Sequence, residues 1–369
     1  MVNPARLPTE IWREITTLAC TDGGSTGRSL ALTSKFFHSQ SLSTRFHSLS
    51  FDSLQRVEDF LVFLREQPKD CKPQIAHLYL SFTGEPASST PRFFLAYARM
   101  KRSERAEYDR EAKATKELWD ERFRPAAAAL FTLAAPTLET LCLVEERLQV
   151  PLEFPHTFPK LEELTWKGWF EGLQPASLAL YDNPYKFPVL RRVHFITHDK
   201  AHVVDALAAA ASSSLTHLRI SEVLRADNRL PDALARALGI PTVLVPAGAT
   251  TSTQDAAAIP PSDQTVSALF PHLRNVVVLC TAASGGGWSG HYSGIWLDAL
   301  DRFHALPRKC ERQLDGVRMS FWDRPGRPNE RWPDRLRHDW TNRMQGGPGC
   351  WVESIEEEEV DIYEDGPFE

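Results

Sequence analysis

Apolar positions along this chain follow two periods, one helical and one extended. Near the N-terminus Ile11, Ile15 and Leu18 recur at i, i+4 and i+7, a single stripe on a helix. Pro8 suits the first turn of that helix, where its missing N–H would have had no partner. Glu10, in the same turn, meets the positive end of the helix dipole. The run Asp22-Gly23-Gly24-Ser25-Thr26-Gly27 is turn chemistry and predicts a stop near Cys20. A second helix is predicted from about Ser29 to Ser39, with Leu30, Ser34, Phe37 and Ser41 on one face and Leu32 and Phe36 beside it. Leu42, Phe46, Leu49 and Phe51 close the segment. So short a stretch cannot bury two apolar helical faces by itself; a partner, or the rest of the chain, must cover one.

Past Phe51 the extended period takes over as a repeat. Phe158-Pro159-Lys160-Leu161, Phe187-Pro188-Val189-Leu190 and Phe270-Pro271-His272-Leu273 each open the pattern Phe-Pro-x-Leu-x-x-apolar-x-apolar. Weaker copies start at Ile75, Leu138 and Leu215. Each predicts a buried strand entered through a turn, with strands at Leu78, Leu141, Leu164, Val193, Leu218 and Val276. The gap between Leu215 and Leu273 leaves room for one more unit, whose strand is expected at Ile240-Pro241-Thr242-Val243-Leu244-Val245. Helical segments intervene at Leu54 to Arg65, His202 to Ala211 and Asp232 to Leu238. Two stretches break the array. Arg99 to Arg124 reads as a long solvated helix with Leu118 and Trp119 as docking points, and Ala247 to Ser262 as an Ala/Thr/Pro/Ser loop.

These residues carry two resemblances. The spacing Leu-x-x-Leu-x-Leu is similar to the strand portion of a leucine-rich repeat, which implies a solenoid whose strands lie side by side in one parallel sheet. The family's usual Asn after the strand is absent, so the implied solenoid is irregular; separate α/β hairpins in a compact sheet are the alternative. At the N-terminus Leu7-Pro8-x-Glu10-Ile11, then Leu32-Thr33-Ser34-Lys35-Phe36-Phe37 and Phe46-x-x-Leu49, resemble an F-box. Thr21-Asp22-Gly23-Gly24 leading to Ser29-Leu30-Ala31-Leu32-Thr33-Ser34-Lys35 is similar to fungal F-box-like proteins. The likeness covers about Ala5 to Phe51, with Thr33 where Val or Cys is usual and Phe37 where Trp is common. It implies a three-helix module that binds the Skp-type adaptor of an SCF ubiquitin ligase, through Leu7, Pro8, Ile11, Ile15, Leu30, Leu32 and Phe37. It further implies a non-enzymatic receptor without cofactor, whose remaining chain captures a target protein. A plain helical hairpin is the alternative for the module, and a repeat-built scaffold that never meets an adaptor is the alternative for the protein.

The expected fold class is thus α/β (α+β overall). A three-helix module spans residues 5–51. An irregular leucine-rich-repeat solenoid with a parallel sheet spans 52–350, with insertions near 83–130 and 246–264, and a tail follows at 351–369. Between the Leu positions of each strand, alternate side chains should project from the face opposite the core. Tyr79, Thr165, Lys167, Arg192, His194, His217 and Arg219 are the candidates for a target-binding face. Lys167, Arg192 and Arg219, from successive repeats, would stack into a basic strip suited to an acidic or phosphorylated segment, unless their charges simply pair with Glu163 and its neighbours.

Composition narrows the classes. Over 369 residues, 42% hydrophobic and 24% charged is ordinary for a globular protein. No apolar run approaches a membrane span, the N-terminus lacks a signal-peptide pattern, and no Asn-x-Ser/Thr occurs, so a cytoplasmic or nuclear site is expected. The six cysteines show no metal-ligand spacing and read as buried thiols in a reducing compartment. The net charge of −6 is concentrated at the end: residues 351–369 hold nine acids and no Lys or Arg, which leaves +3 before them. That body marks neither a nucleic-acid nor a membrane surface, and the tail is expected to be disordered. Three motifs imitate chemistry. Gly285-Gly286-Gly287-Trp288-Ser289-Gly290 satisfies G-x-G-x-x-G, the one basis for a remote reading as a nucleotide-dependent enzyme, yet Thr281 to Ser284 separate it from its strand. Gly23 to Ser29 is a residue short of a phosphate loop and has Arg28 for Lys. His194, His198 and His202 are four apart, but His194 belongs to a strand, so no metal is expected.

Overall fold

The computed structural model describes residues 7–42, 44–67, 73–82, 99–144, 156–168, 187–196, 204–205, 207–208, 213–223, 229–241, 268–281, 290–324 and 332–351. In chain order these form α1 (Thr9–Ala19), α2 (Ser25–Thr33), α3 (Lys35–Ser41), β1 (Ser48–Phe51), α4 (Leu54–Glu66), β2 (His77–Ser81), α5 (Arg102–Ala134), β3 (Thr140–Val144) and β4 (Glu163–Lys167). Then follow β5 (Arg192–Ile196), β6 (His217–Val223), α6 (Leu230–Leu238), β7 (Asn275–Thr281), α7 (Gly290–Gln313), β8 (Arg318–Arg324) and α8 (Trp332–Met344). The fold is mixed α/β, with an eight-stranded parallel sheet ordered β1 to β8 as in the chain. Parallel neighbours cannot be joined by a tight turn, so each connection must cross back over a face.

The chain divides into two units, residues 1–179 with 329–369, and residues 180–328. In the first, β1 to β4 run in step: Leu49 lies opposite Leu78, Leu78 opposite Leu141, and Leu141 opposite Leu164. In the second, Val193, Leu218, Val276 and Met319 form the matching row. All these side chains are buried. In the first unit α4 turns Val57 and Leu61 inward, and the second half of α5 adds Phe123, Leu130 and Phe131. In the second unit Leu234 and Leu238 of α6 and Phe303 and Leu306 of α7 do the same, with Phe303 stacked 5.0 Å from Phe321. Each such side chain contributes about 1.5–3 kcal/mol of burial.

One local device recurs at the strand entrances. In each Phe-Pro-x-Leu turn the Leu N–H donates to the Phe carbonyl: Leu161 to Phe158 at 3.3 Å, Leu190 to Phe187 at 3.3 Å, Leu273 to Phe270 at 3.2 Å. The Pro presets the turn's φ, and both flanking side chains are buried. The carbonyl just before a strand then accepts two N–H groups from the next. His47 takes Ala76 and His77; Ala76 takes Glu139 and Thr140; Glu139 takes Glu162 and Glu163; Arg191 takes Thr216 and His217; Thr216 takes Arg274 and Asn275.

Three expectations change. The helical module was expected to run to Phe51, but Ser48–Phe51 is the first strand, because Leu49 and Phe51 are buried in step with Leu78 and Leu80. The charged stretch expected as an insertion is the start of a 33-residue helix that runs through Pro125 and enters the core from Phe123 onward. β8 and α8, unread in the sequence, extend the sheet and cover part of it. Residues 242–245 of the expected extra strand, Ala247 to Ser262, and the tail after Trp351 lie outside the described residues.

Candidate protein-interaction surface

α1 is oriented against its own composition. Thr16, a polar residue, is the buried position, 1% exposed, and its hydroxyl accepts from Thr44 Oγ1 at 2.9 Å. The apolar stripe points the other way: Leu7 is 46% exposed, Ile11 41%, Ile15 42% and Leu18 76%, and Leu32 of α2 is 78% exposed. A helix placed only to complete a core would turn that stripe inward. The stripe is thus apolar area left open to solvent on two helices.

The module keeps its shape by other means. Trp12 meets Phe37 edge-on at 5.1 Å and Phe36 at 6.0 Å, an aromatic triad that ties α1 to α3. Ser34 caps α3, accepting from Phe37 N–H at 3.2 Å. Between α1 and α2, Asp22 accepts from Gly24 N–H, from Thr26 N–H at 2.9 Å and from the Ser25 and Thr26 hydroxyls at 2.5 and 2.6 Å. Burial pushes the Asp22 carboxyl up, but these bonds outweigh it and hold the group below its ordinary range. The Gly23, Gly24 and Thr26 amides are thus already bonded to side chains, and Asp22 caps the start of α2. Two glycines serve contact with the body. Gly23 stands in the left-handed region, its N–H bonded to Ser48 Oγ at 3.0 Å, while Ser48 donates to the Cys20 carbonyl at 2.7 Å. Gly27 lies against the Arg45 backbone, where no Cβ fits. Burial, then the neighbouring Asp22, pushes the Cys20 thiol up to about 11, so it is no nucleophile at neutral pH.

Of the seven residues assigned to adaptor contact, Leu7, Pro8, Ile11, Ile15 and Leu32 are exposed, and Leu30 and Phe37 are half-buried. The ring of Phe37 faces Trp12 and Phe36. Trp12, the hub of the triad, was readable as the aromatic beside the Ile11 stripe.

The expected target face is different. Tyr79, Thr165, His194 and Arg219 are buried, and Lys167, Arg192 and His217 are partly covered, so the basic strip is not a surface. In the first unit the reason is α8. Tyr79 Oη donates to the Pro333 carbonyl at 2.7 Å and its ring lies 5.8 Å from Trp340. Glu163 is held by Arg343 Nε and Trp351 Nε1, both at 3.0 Å. The signal was there: Trp332, Leu336 and Trp340 recur at i, i+4 and i+8, and all three are buried. In the second unit Arg219 has no exposed surface; its guanidinium lies 5.7 Å from the Trp322 ring, and His194 Nε2 is 2.9 Å from Ser221 Oγ.

Among the described residues no three His, Cys, Asp or Glu are grouped to hold a metal, and no helix is long and apolar enough to cross a membrane. Residues 282–289 of the Gly285 loop, His198 and His202 lie outside the described residues. No known protein family, curated protein or solved structure matches this chain.

Proposed function

We propose that this chain is the substrate-receptor subunit of an SCF-type ubiquitin ligase: α1 to α3 dock on a Skp-type adaptor and the sheet units capture the target. In this reading the chain performs no catalysis. The supporting observation is the outward stripe Leu7, Ile11, Ile15, Leu18 and Leu32 on a module whose inward face is closed by Thr16 and Thr44. It is apolar area presented on rigid helices, which is what an anchor site requires.

The test is co-purification and calorimetric titration of the full chain with Skp-type adaptors. Ile11→Asp should weaken binding by about 30-fold or more, the ~2 kcal/mol typical of a central anchor. Its melting behaviour should stay near wild type, because Ile11 is already 41% exposed in the free protein. A wild-type chain that binds no such adaptor at micromolar concentration refutes the proposal.

A second reading has one observation behind it. The bonds from Ser48 to Cys20 and Gly23 fasten the α1–α2 loop to β1, so the module also closes the sheet's first edge. A scaffold whose module is only a cap would bind no adaptor and lose nothing with Ile11→Asp.

A further inference from the structure

The geometry points to a binding row for an extended acidic peptide along the strand-entrance edge of the second unit, at Arg191 and Arg274, continued by Arg318 at the first residue of β8 and by Arg308, Lys309 and Arg312 at the end of α7. The row is built by backbone. Thr216 N–H donates to the Arg191 carbonyl at 2.8 Å, Arg274 N–H to the Thr216 carbonyl at 2.8 Å, and Arg318 N–H to the Arg274 carbonyl at 2.7 Å. Four consecutive strands are thus clamped at their entrances, with steps of about 4.8 Å; Arg191 and Arg274 each stand just before a strand, and Arg318, in register with Asn275, stands one residue further along. All six basic side chains are exposed.

Charge distinguishes this edge from the rest of the molecule. The stretches leading into β5 to β8 (187–191, 213–216, 268–274 and 314–317) contain Asp315 as their one acid, and Glu311 is the one acid in the last two turns of α7. At the matching position before the strand, the first unit has Glu139 and Glu162 where the second has Arg191 and Arg274. The ion pairs described for this unit lie elsewhere: Arg236 with Asp205, and Arg302 with Asp232 and Asp298. Among the described residues Arg191, Arg274, Arg308, Lys309 and Arg312 enter none. Like charges within about one Debye length of each other repel, and among the described residues of this edge Asp315 and Glu311 are two acids against six basic groups.

The dimensions fit a peptide. Three strand steps make a row of about 14 Å, and an extended chain advancing about 3.3 Å per residue covers it with four or five residues, alternate side chains facing the row. Guanidinium groups take carboxylate or phosphate oxygens in pairs of hydrogen bonds. So short a row meets too few phosphates to hold a nucleic acid, and the net charge of −6 opposes a long polyanion. The peptide's role as a target rests on the receptor reading above; its binding does not.

The test is fluorescence anisotropy on the full chain with three labelled twelve-residue peptides, Glu/Asp-rich, phosphoserine-containing and neutral, and a twelve-nucleotide single strand. Either acidic peptide should bind at micromolar concentration and the neutral one should not. Arg191→Glu with Arg274→Glu should weaken binding at least tenfold, Arg191→Gln with Arg274→Gln by less, and Arg110→Glu on α5 should leave it unchanged. A phosphopeptide advantage identifies a phosphorylated source, and equal affinities an acidic one. No acidic-peptide binding, binding indifferent to the double reversal, or tighter binding of the nucleotide overturns the inference. Ile11→Asp separates the two claims, since it should abolish adaptor capture and spare the peptide.

Discussion

Gly27→Ala sets two effects of opposite sign against each other. Gly27 is the third residue of α2, and within a helix Ala is favoured over Gly by about 1 kcal/mol. On propensity alone the variant gains stability. A Cβ at this position, however, would stand 2.4 Å from the Arg45 carbonyl oxygen, 2.8 Å from Arg45 Cα and 3.0 Å from its carbonyl carbon. These are backbone atoms, and they are held: Arg45 N–H donates to the Ser41 carbonyl at 2.7 Å, and Thr44 is bonded to Thr16. Restoring ordinary contact requires α2 to move about 1 Å from that turn, which loosens contacts on both sides. Overpacking against an unyielding partner outweighs the propensity gain, and a net loss of about 2 kcal/mol is expected. Amide hydrogen exchange reads this locally, which matters because a two-unit chain has no single unfolding free energy. Residues 9–41 should exchange about 30-fold faster, while β6 and β7 keep their rates. Ser29→Ala, exposed in the same helix, should show no acceleration. If Gly27→Ala exchanges as slowly as wild type, α2 is not seated on the Arg45 turn and the outward orientation of the stripe loses its support.

Two further outcomes follow from the same region. His77 is held down to about 3 by burial and then by His47, whose ring centre lies 4.9 Å away and whose own value is lowered by burial. The unfolded chain takes up protons below about 6.5 while folded His77 stays neutral, so stability should be full above that pH and fall below it, by up to roughly 1.4 kcal/mol per pH unit. Amide hydrogen exchange of β1 to β3 in the first unit between pH 7 and 5, corrected for the intrinsic pH dependence of exchange, should show this slope, and His77→Gln should flatten it. Asp22→Ala removes the acceptor of the α1–α2 loop and should cost about 1 kcal/mol, with faster exchange confined to the first turn of α2. At neutral pH Asp22→Asn should recover part of that loss. As pH falls below the carboxylate range, wild type should approach the Asn variant, since the depressed carboxyl loses its contribution only there.

The strands were readable because their signal is local. Phe158 and Leu161, Phe187 and Leu190, Phe270 and Leu273 each combine a Pro-set turn with two buried anchors. β1 was obscured because Leu49 and Phe51 also extend the apolar run of the helices before them, and four residues are too few to establish a period of two. The exposed stripe of α1 was visible as a pattern, though periodicity cannot say which way a stripe faces; that is decided by the Thr16–Thr44 bond, between residues 28 apart. The outer sheet face was misjudged for a similar reason. Alternation says which side chains leave the core, not whether another segment meets them, and Arg343 reaches Glu163 across 180 residues.

That long reach has a consequence for biogenesis. Glu163 emerges from the ribosome 180 residues before the arginine that neutralises it, and Tyr79 emerges 254 residues before the carbonyl that accepts its hydroxyl. At roughly 5–20 residues per second, the outer face of β2 to β4 stays uncovered for about ten seconds or more while the whole second unit is being synthesised. The second unit, contiguous in the chain, can close first. The first unit is completed only by Trp332 to Trp351. A ribosome that stops short of Trp332 would therefore release a nascent chain with its early half open and its later half folded, the reverse of the usual order for a truncated product.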